Sequence, residues 1–175
     1  MIKKRDVVDN GSGMTDAEAD AILNKLSDEQ KAKLEKPAAV LRDIMQGTRD
    51  TLRSFGLNTN EEVDGFESQF DNYIPLAGIA KDEQLDGSAY PTGGAGLAVY
   101  KSPVKKAKGR KYKAREVVAQ VIAQSANTSI HARKNEALTA LHNLIVNNPN
   151  PAVWKVTGVA EYGDRSVVPV RIDGK

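Results

Sequence analysis

The chain has 175 residues, of which 40% are hydrophobic and only 5% aromatic; that allows one domain with a modest core and is leaner than a β-sandwich requires. It has no cysteine, which excludes disulfides, thiolate metal sites and cysteine catalysis. Its charges nearly cancel in sum but are segregated: residues 1–100 hold 11 basic against 18 acidic side chains, and residues 101–175 hold 14 against 5.

Residues 1–13, ending Asp9-Asn10-Gly11-Ser12-Gly13, read as a flexible arm. The charged head Met1-Ile2-Lys3-Lys4-Arg5-Asp6 has no apolar stretch behind it and does not read as a secretory signal. Thr15-Asp16-Ala17-Glu18 is a capping box, in which Thr15 accepts from the third amide and Glu18 reaches back. It predicts a short helix to about Leu26. Ser27-Asp28-Glu29-Gln30 is a second box, so the chain stops and restarts there. Pro37 lies inside the next pattern and is expected to kink or divide it. Beyond it Val40, Leu41, Ile44, Met45, Thr48, Leu52 and Phe55 recur at helical spacing, and Gly56 is the expected stop. Thr59-Asn60-Glu61-Glu62 is a third box, with Val63, Phe66 and Phe70 on one face up to about Tyr73. Residues 14–74 thus read as a helical cluster.

Ile74-Pro75-Leu76 ends that pattern, and Gly78, Gly87, Pro91, Gly93, Gly94, Gly96 and Pro103 make residues 75–112 an irregular connection. A connection of this length is a functional loop, a linker, or a segment ordered by a partner. A long helix is predicted over residues 113–147. Val117, Val118, Val121, Ile122, Ala126, Ile130, Ala137, Leu138, Leu141, Leu144 and Ile145 form its seam. Asn147-Asn148-Pro149-Asn150-Pro151 stops it, since proline disfavours helix in the residue before it. In the tail, residues 148–175, two β-branched runs (Val153–Val159 and Ser166–Ile172) predict a β-hairpin about Gly163-Asp164. Two strands alone are marginal in water, so the hairpin must lean on a helix or a neighbouring chain. The fold class is mainly α: short capped helices, one long helix, an irregular Gly/Pro-rich connection and a C-terminal hairpin. No stretch approaches the about 18 apolar residues of a membrane-spanning helix, which predicts a soluble chain.

The chemistry-bearing feature is Lys101 to Arg115. Lys101, Lys105, Lys106, Lys108, Arg110, Lys111, Lys113 and Arg115 place eight positive charges and no negative one in fifteen residues, leaving 17 basic against 23 acidic elsewhere. Several cations on one accessible surface bind phosphates through counterion release. Tyr100 and Tyr112 flank the segment, where they can stack on the bases of a single strand. No helix-turn-helix, zinc-finger or RNP pattern accompanies it, so the expected contact is to backbone, without sequence readout. The alternative is a solvated loop, or one that neutralises the acidic helices within its own assembly.

His131 and His142 fall on nearly the same helical face but about 16 Å apart, too far for one metal ion. Asn127, His131 and Asn135 form a polar line beside the apolar seam. It reads as a hydrogen-bonded seam against another helix or chain rather than as a proton-transfer face, since no carboxylate pair or nucleophile has a telling spacing. Gly93-Gly94-Ala95-Gly96 lacks the lysine and hydroxyl of a P-loop and reads as a hinge or loop. Glu61, Glu62 and Asp64 are the acidic first turn of a capped helix. Trp154, the single tryptophan, either anchors the hairpin to the end of the long helix or, exposed, serves with Tyr112 as an interface anchor. No catalytic residue, metal site or cofactor is predicted.

Tyr73-Ile74-Pro75-Leu76, Gly109-Arg110-Lys111 leading into a long helix, Ala132-Arg133-Lys134-Asn135, and Asn147-Asn148-Pro149-Asn150-Pro151-Ala152-Val153-Trp154 occur in this order. Together they resemble an accessory region of very large polyvalent proteins of phages and mobile elements. Those antirestriction-type polyproteins often carry helicase, methyltransferase or protease modules, and some are packaged in the phage head and delivered with the genome. The resemblance runs from about Thr15 to Val156. The region has no established role of its own there and brings no catalytic residues. What the resemblance implies is a non-enzymatic phage virion protein, internal or ejected with the genome, whose basic segment touches packaged DNA. Its implied partners are other virion proteins, further copies of itself and DNA, and its implied location is the virion interior or the host cytoplasm. The alternative expectation is a sequence-nonspecific nucleic-acid-binding or antirestriction accessory module.

Overall fold

Helix boundaries in this molecule fall where the backbone amides find side-chain partners. The structure, a computed structural model, describes residues 16–69, 97, 99, 102–104, 116–157 and 167–175. Among these, four helices occur in chain order: α1 (Asp16–Leu23), α2 (Asp28–Ser54), α3 (Asn60–Gln69) and α4 (Val117–Asn147). The mainly helical class is as expected.

Two of the three capping boxes close. Ser27 Oγ accepts from the Gln30 amide at 3.2 Å while Gln30 Oε1 accepts from the Ser27 amide at 2.9 Å. Thr59 Oγ1 accepts from the Glu62 amide at 3.1 Å and Glu62 Oε2 from the Thr59 amide at 3.3 Å. Each satisfies two amides that a helix start would otherwise leave unpaired. Thr15, of the first box, lies outside the described residues.

Of the kink or division expected at Pro37, the division does not occur: α2 runs undivided through it. Proline removes the amide that would bond the Lys33 carbonyl, a loss that is most costly inside a packed helix. Every side chain of α2 from Asp28 to Pro37 is exposed, so water reaches that carbonyl and no packing is disturbed. Arg42 also pairs with Glu35 across the proline turn.

The buried half of α2 carries Met45, Thr48 and Leu52 on one face, with the Thr48 hydroxyl turned back on the Ile44 carbonyl at 2.7 Å. Its end is a Schellman motif. Gly56, at φ +61, donates to Arg53 O at 3.0 Å, and Leu57 donates to Leu52 O at 3.0 Å. Leu52 and Leu57 are both buried, giving the apolar contact that accompanies this motif. α3 follows this turn, and Arg53 of α2 pairs with Asp64 of α3 at 2.6 Å. Leu52, Leu57, Val63, Val99, Ala132 and Leu138 form the core, with Phe55, Val104 and Val170 packed against it. It therefore lies where α2, α3 and α4 meet, and α1 has no buried side chain among the described residues.

α4 begins at Val117, later than expected. Glu116 has extended backbone (ψ 129), and its carboxylate accepts from the Val118 amide at 2.9 Å and the Ala119 amide at 2.6 Å. A carboxylate at this end also complements the helix dipole. The Asn-Pro-Asn-Pro stop behaves as expected: α4 ends at Asn147, and Asn148 Nδ2 caps the Leu144 carbonyl at 2.9 Å.

No strand occurs among the described residues, and the expected hairpin turn at Gly163-Asp164 lies outside them. Residues 167–171 run without regular structure onto the core, burying Pro169 and part of Val170. They end in a tight turn in which Ile172 and Lys175 exchange both backbone hydrogen bonds at 3.0 Å. Its two central residues, Asp173 (φ 48) and Gly174 (φ 78), both have positive φ, the requirement of a type I′ turn and the reason Asp-Gly suits it. The arm at 1–13 and the bulk of the connection at 75–112 also lie outside the described residues.

Candidate functional site

Lys101, Lys105, Lys106, Lys108, Arg110, Lys111, Lys113 and Arg115 all lie outside the described residues, as do Tyr100 and Tyr112. The residues on either side of 105–115 are described, and both flanks are held. On one side Ser102 Oγ donates to Asn58 Oδ1 at 2.6 Å and accepts from the Val104 amide at 3.1 Å. Asn58 in turn donates through Nδ2 to Glu62 Oε2 at 2.8 Å, which ties this flank to the start of α3. Val104 packs on the core, and Gln124 Nε2 donates to the Pro103 carbonyl at 3.4 Å. On the other side Glu116 caps α4. Gln124 is about two turns from Glu116, so both flanks lie along the N-terminal third of α4.

Of the polar line on α4, Asn135 serves the fold. Asn135 is 0% exposed and spends its whole amide on two backbone segments. Nδ2 donates to Phe55 O and to Arg171 O, each at 2.8 Å, while Oδ1 accepts from the Arg171 amide at 2.9 Å. Arg171 completes the latch: Nε donates to Leu57 O at 2.9 Å and a terminal nitrogen donates to Gly174 O. The Gly174 amide then donates to Gly56 O at 3.0 Å. One asparagine thus clips the C-terminal segment to the end of α2. The seam expected against another helix or chain is made with the chain's own backbone.

His131 turns inward on its own helix, with Nδ1 2.8 Å from Asn127 O, the geometry of a donor to a carbonyl. Among the described residues, Asn127 Oδ1 and His142 Nδ1 are buried with no hydrogen-bond partner. Among the described residues no carboxylate bonds either histidine, and no group of three His, Asp or Glu could hold a metal ion. No described helix is long and apolar enough to cross a membrane.

Trp154 is tied to the end of the long helix. Its indole Nε1 donates to the Asn148 carbonyl at 3.2 Å, pinning the segment after Asn-Pro-Asn-Pro to the end of α4, while 38% of the residue stays exposed. The single seam read on α4 proves to be two. Val121, Ala132 and Leu138 face the core together with the polar Gln120, Thr128 and Asn135. Val118, Ile122, Ala126, Ile130, Ala137, Leu141 and Leu144 are all exposed. At about 100° per residue the two groups lie on opposite sides of the helix. Sequence periodicity found Val121, Leu138 and the exposed group but missed Ala132 and the division between the two faces.

No protein-family model matches this chain, and no curated protein and no solved structure matches it either. The resemblance described above therefore stands on the quoted residues alone.

Proposed function

We propose that this chain is a non-enzymatic phage virion protein, internal or ejected with the genome, that works by assembly and holds nucleic-acid backbone through Lys101–Arg115. The observation that carries the reading is the segregation of charge: eight cations without an anion in fifteen residues, in a chain otherwise poorer in basic than acidic side chains. Such a segment binds phosphate by releasing counterions and needs no base contact. The flanks support it. Ser102–Val104 and Glu116 are seated on the helical body, so phosphate bound between them is coupled to that body. The phage setting rests on the sequence resemblance, and the partners implied are DNA, other virion proteins and further copies of the chain.

Two measurements test it. Binding to a generic DNA duplex is measured between low and physiological salt, for the native chain and for a variant carrying Lys105, Lys106, Arg110 and Lys111→Ala. Each phosphate neutralised adds about 0.9 to the slope of log affinity against log salt, so removing four of the cations lowers that slope by up to about 3.6. Salt-independent binding, or a slope unchanged in the variant, refutes the phosphate contact. Mass spectrometry of purified particles separates the virion role from the antirestriction alternative: presence in mature particles supports the former, and presence only in infected cells supports the latter.

A further inference from the structure

The outer face of α4 has no partner in the described fold, although it is the most apolar surface of the helix. Ile122 and Leu144 are each 56% exposed, Leu141 42% and Ile130 40%, while polar Gln120, Thr128 and Asn135 are buried on the opposite face. The result is a stripe of branched aliphatic side chains left uncovered along one helix of the described fold.

We propose that this face pairs with the same face of a second copy, α4 against α4 in antiparallel orientation about a two-fold axis near residues 131–132. The inference rests on the assembly half of the function proposed above and supplies its geometry.

Two observations choose the occupant. The first is the order of residues. A two-fold interface is isologous, so if residue i meets j, then j must meet i. Reversing the stripe on itself places Ile122 opposite Leu141 and Ala126 opposite Ala137, with Val118 opposite Leu144 to within one residue. Large thus meets large in the outer layers, and alanine meets alanine in the layers between them and the axis. The remaining pair is Ile130 with Arg133. Arg133 does not block it: its guanidinium sits 5.5 Å from the Phe55 ring centroid and pairs with Glu136 at 2.9 Å, drawn off the stripe toward its own α2. The two-fold axis sends the two Arg133 heads to opposite flanks, leaving the aliphatic stems beside Ile130.

The second observation is extent. From Val118 to Leu144 the stripe runs about 39 Å at a rise of about 1.5 Å per residue. Across a contact width of about 10 Å it offers roughly 400 Å² of footprint on each copy. That totals about 800 Å² over both copies, below the about 1,000 Å² expected of a stable interface and in the range of weak, transient contacts. It fits a reversible dimer that forms as local concentration rises, as in a packed assembly.

The absence of cysteine makes the test direct. Chains carrying Ala126→Cys or Ala137→Cys are oxidised separately and mixed, alongside sedimentation velocity of the native chain from about 1 to 500 μM, the range in which so small a footprint associates. A disulfide needs Cβ atoms about 4 Å apart. In the proposed register position 126 meets 137 of the other copy, whereas 126 and its own counterpart lie about 16 Å apart along the axis. The expected result is a disulfide-linked heterodimer in the mixture, little cross-linking of either chain alone, and a sedimentation coefficient that rises with concentration. Ile122→Lys with Leu141→Lys should hold the chain monomeric across that range with its helical circular dichroism unchanged, since both side chains are solvent-facing in one copy.

Homodisulfides from each chain alone, a native chain that stays monomeric, or a lysine variant that still dimerises would each overturn the proposal. The DNA-binding slope of the lysine variant keeps the two ideas separate. A monomer that still binds DNA as the native chain does leaves the phosphate contact standing whatever becomes of the dimer.

Discussion

Asn135→Ala is the substitution whose effect the structure specifies most closely. The native amide makes three hydrogen bonds to Phe55 O, Arg171 O and the Arg171 amide, inside a site with no solvent exposure. At about 1 kcal/mol net for each bond, their loss is worth about 3 kcal/mol. Backbone groups left buried without partners add to that, and a water entering the vacated space gives part of it back. Against a total of about 5–15 kcal/mol for an ordinary domain this is a large fraction. The loss has a ceiling, because the C-terminal segment can let go by itself while α2, α3 and α4 stay packed. Two readouts therefore belong together. Guanidinium unfolding followed by far-ultraviolet circular dichroism gives the global effect. Hydrogen exchange at the amides of Ile172 and Gly174, which bond Lys175 O and Gly56 O and not Asn135, gives the local one. About 3 kcal/mol corresponds to a rise of about 100-fold in their exchange rates. Asn135→Asp should be worse than alanine, since it turns an oxygen toward two carbonyls where a donor stood. An unfolding free energy within about 0.5 kcal/mol of native, together with unchanged protection of the Gly174 amide, would refute the latch.

Three further substitutions probe separate devices. Gly174→Ala should release the same segment, because its Cβ would stand 2.4 Å from the Thr59 backbone nitrogen at φ +78; exchange at Ile172 should quicken by 10-fold or more, about 1.4 kcal/mol. Gly47→Ala should stabilise the fold by about 0.5–1 kcal/mol, because it lies within α2 with nothing inside 4 Å of the added carbon, and a rise in the guanidinium midpoint measures it. Ser27→Ala removes one half of a closed capping box, worth about 1 kcal/mol to the local helix. Because nothing from Asp28 to Pro37 is buried, that loss should appear as fraying in amide chemical shifts of this stretch, with little movement of the global midpoint.

How far the fold could be read in advance divides by sequence distance. Ser27 with Gln30, Thr59 with Glu62, Gly56 as a helix stop and Asn148-Pro149 as another were all legible, because each device is complete within a few residues. The latch was not. Asn135 lies 36 residues from Arg171 and 80 from Phe55, and Ser102 lies 44 from Asn58; no local pattern encodes those meetings. The one available hint was the place of Asn135 in a polar line beside the apolar seam, which said that a partner existed without saying where. The division foreseen at Pro37 fails for the complementary reason. The cost assigned to proline assumes a helix that must stay regular to pack, and this stretch of α2 packs against nothing among the described residues.

α4 shows why a correct periodicity can still conceal the surface that matters. Apolar residues occupy so much of its circumference that counting them names the helix without choosing a face. What selects the inner face is the ability of its polar members to find partners. Gln124 reaches Pro103 O and Thr128, and Asn135 reaches two backbone segments, so burial costs them no hydrogen bond. The aliphatic side chains on the other side need no specific partner, only cover. A helix whose inward positions are settled by hydrogen-bond geometry thereby leaves its hydrophobic surplus outside, at Ile122, Leu141 and Leu144. The surplus is a consequence of how the core was solved, and the reversed order of large and small residues along it is the part that folding of one copy does not explain.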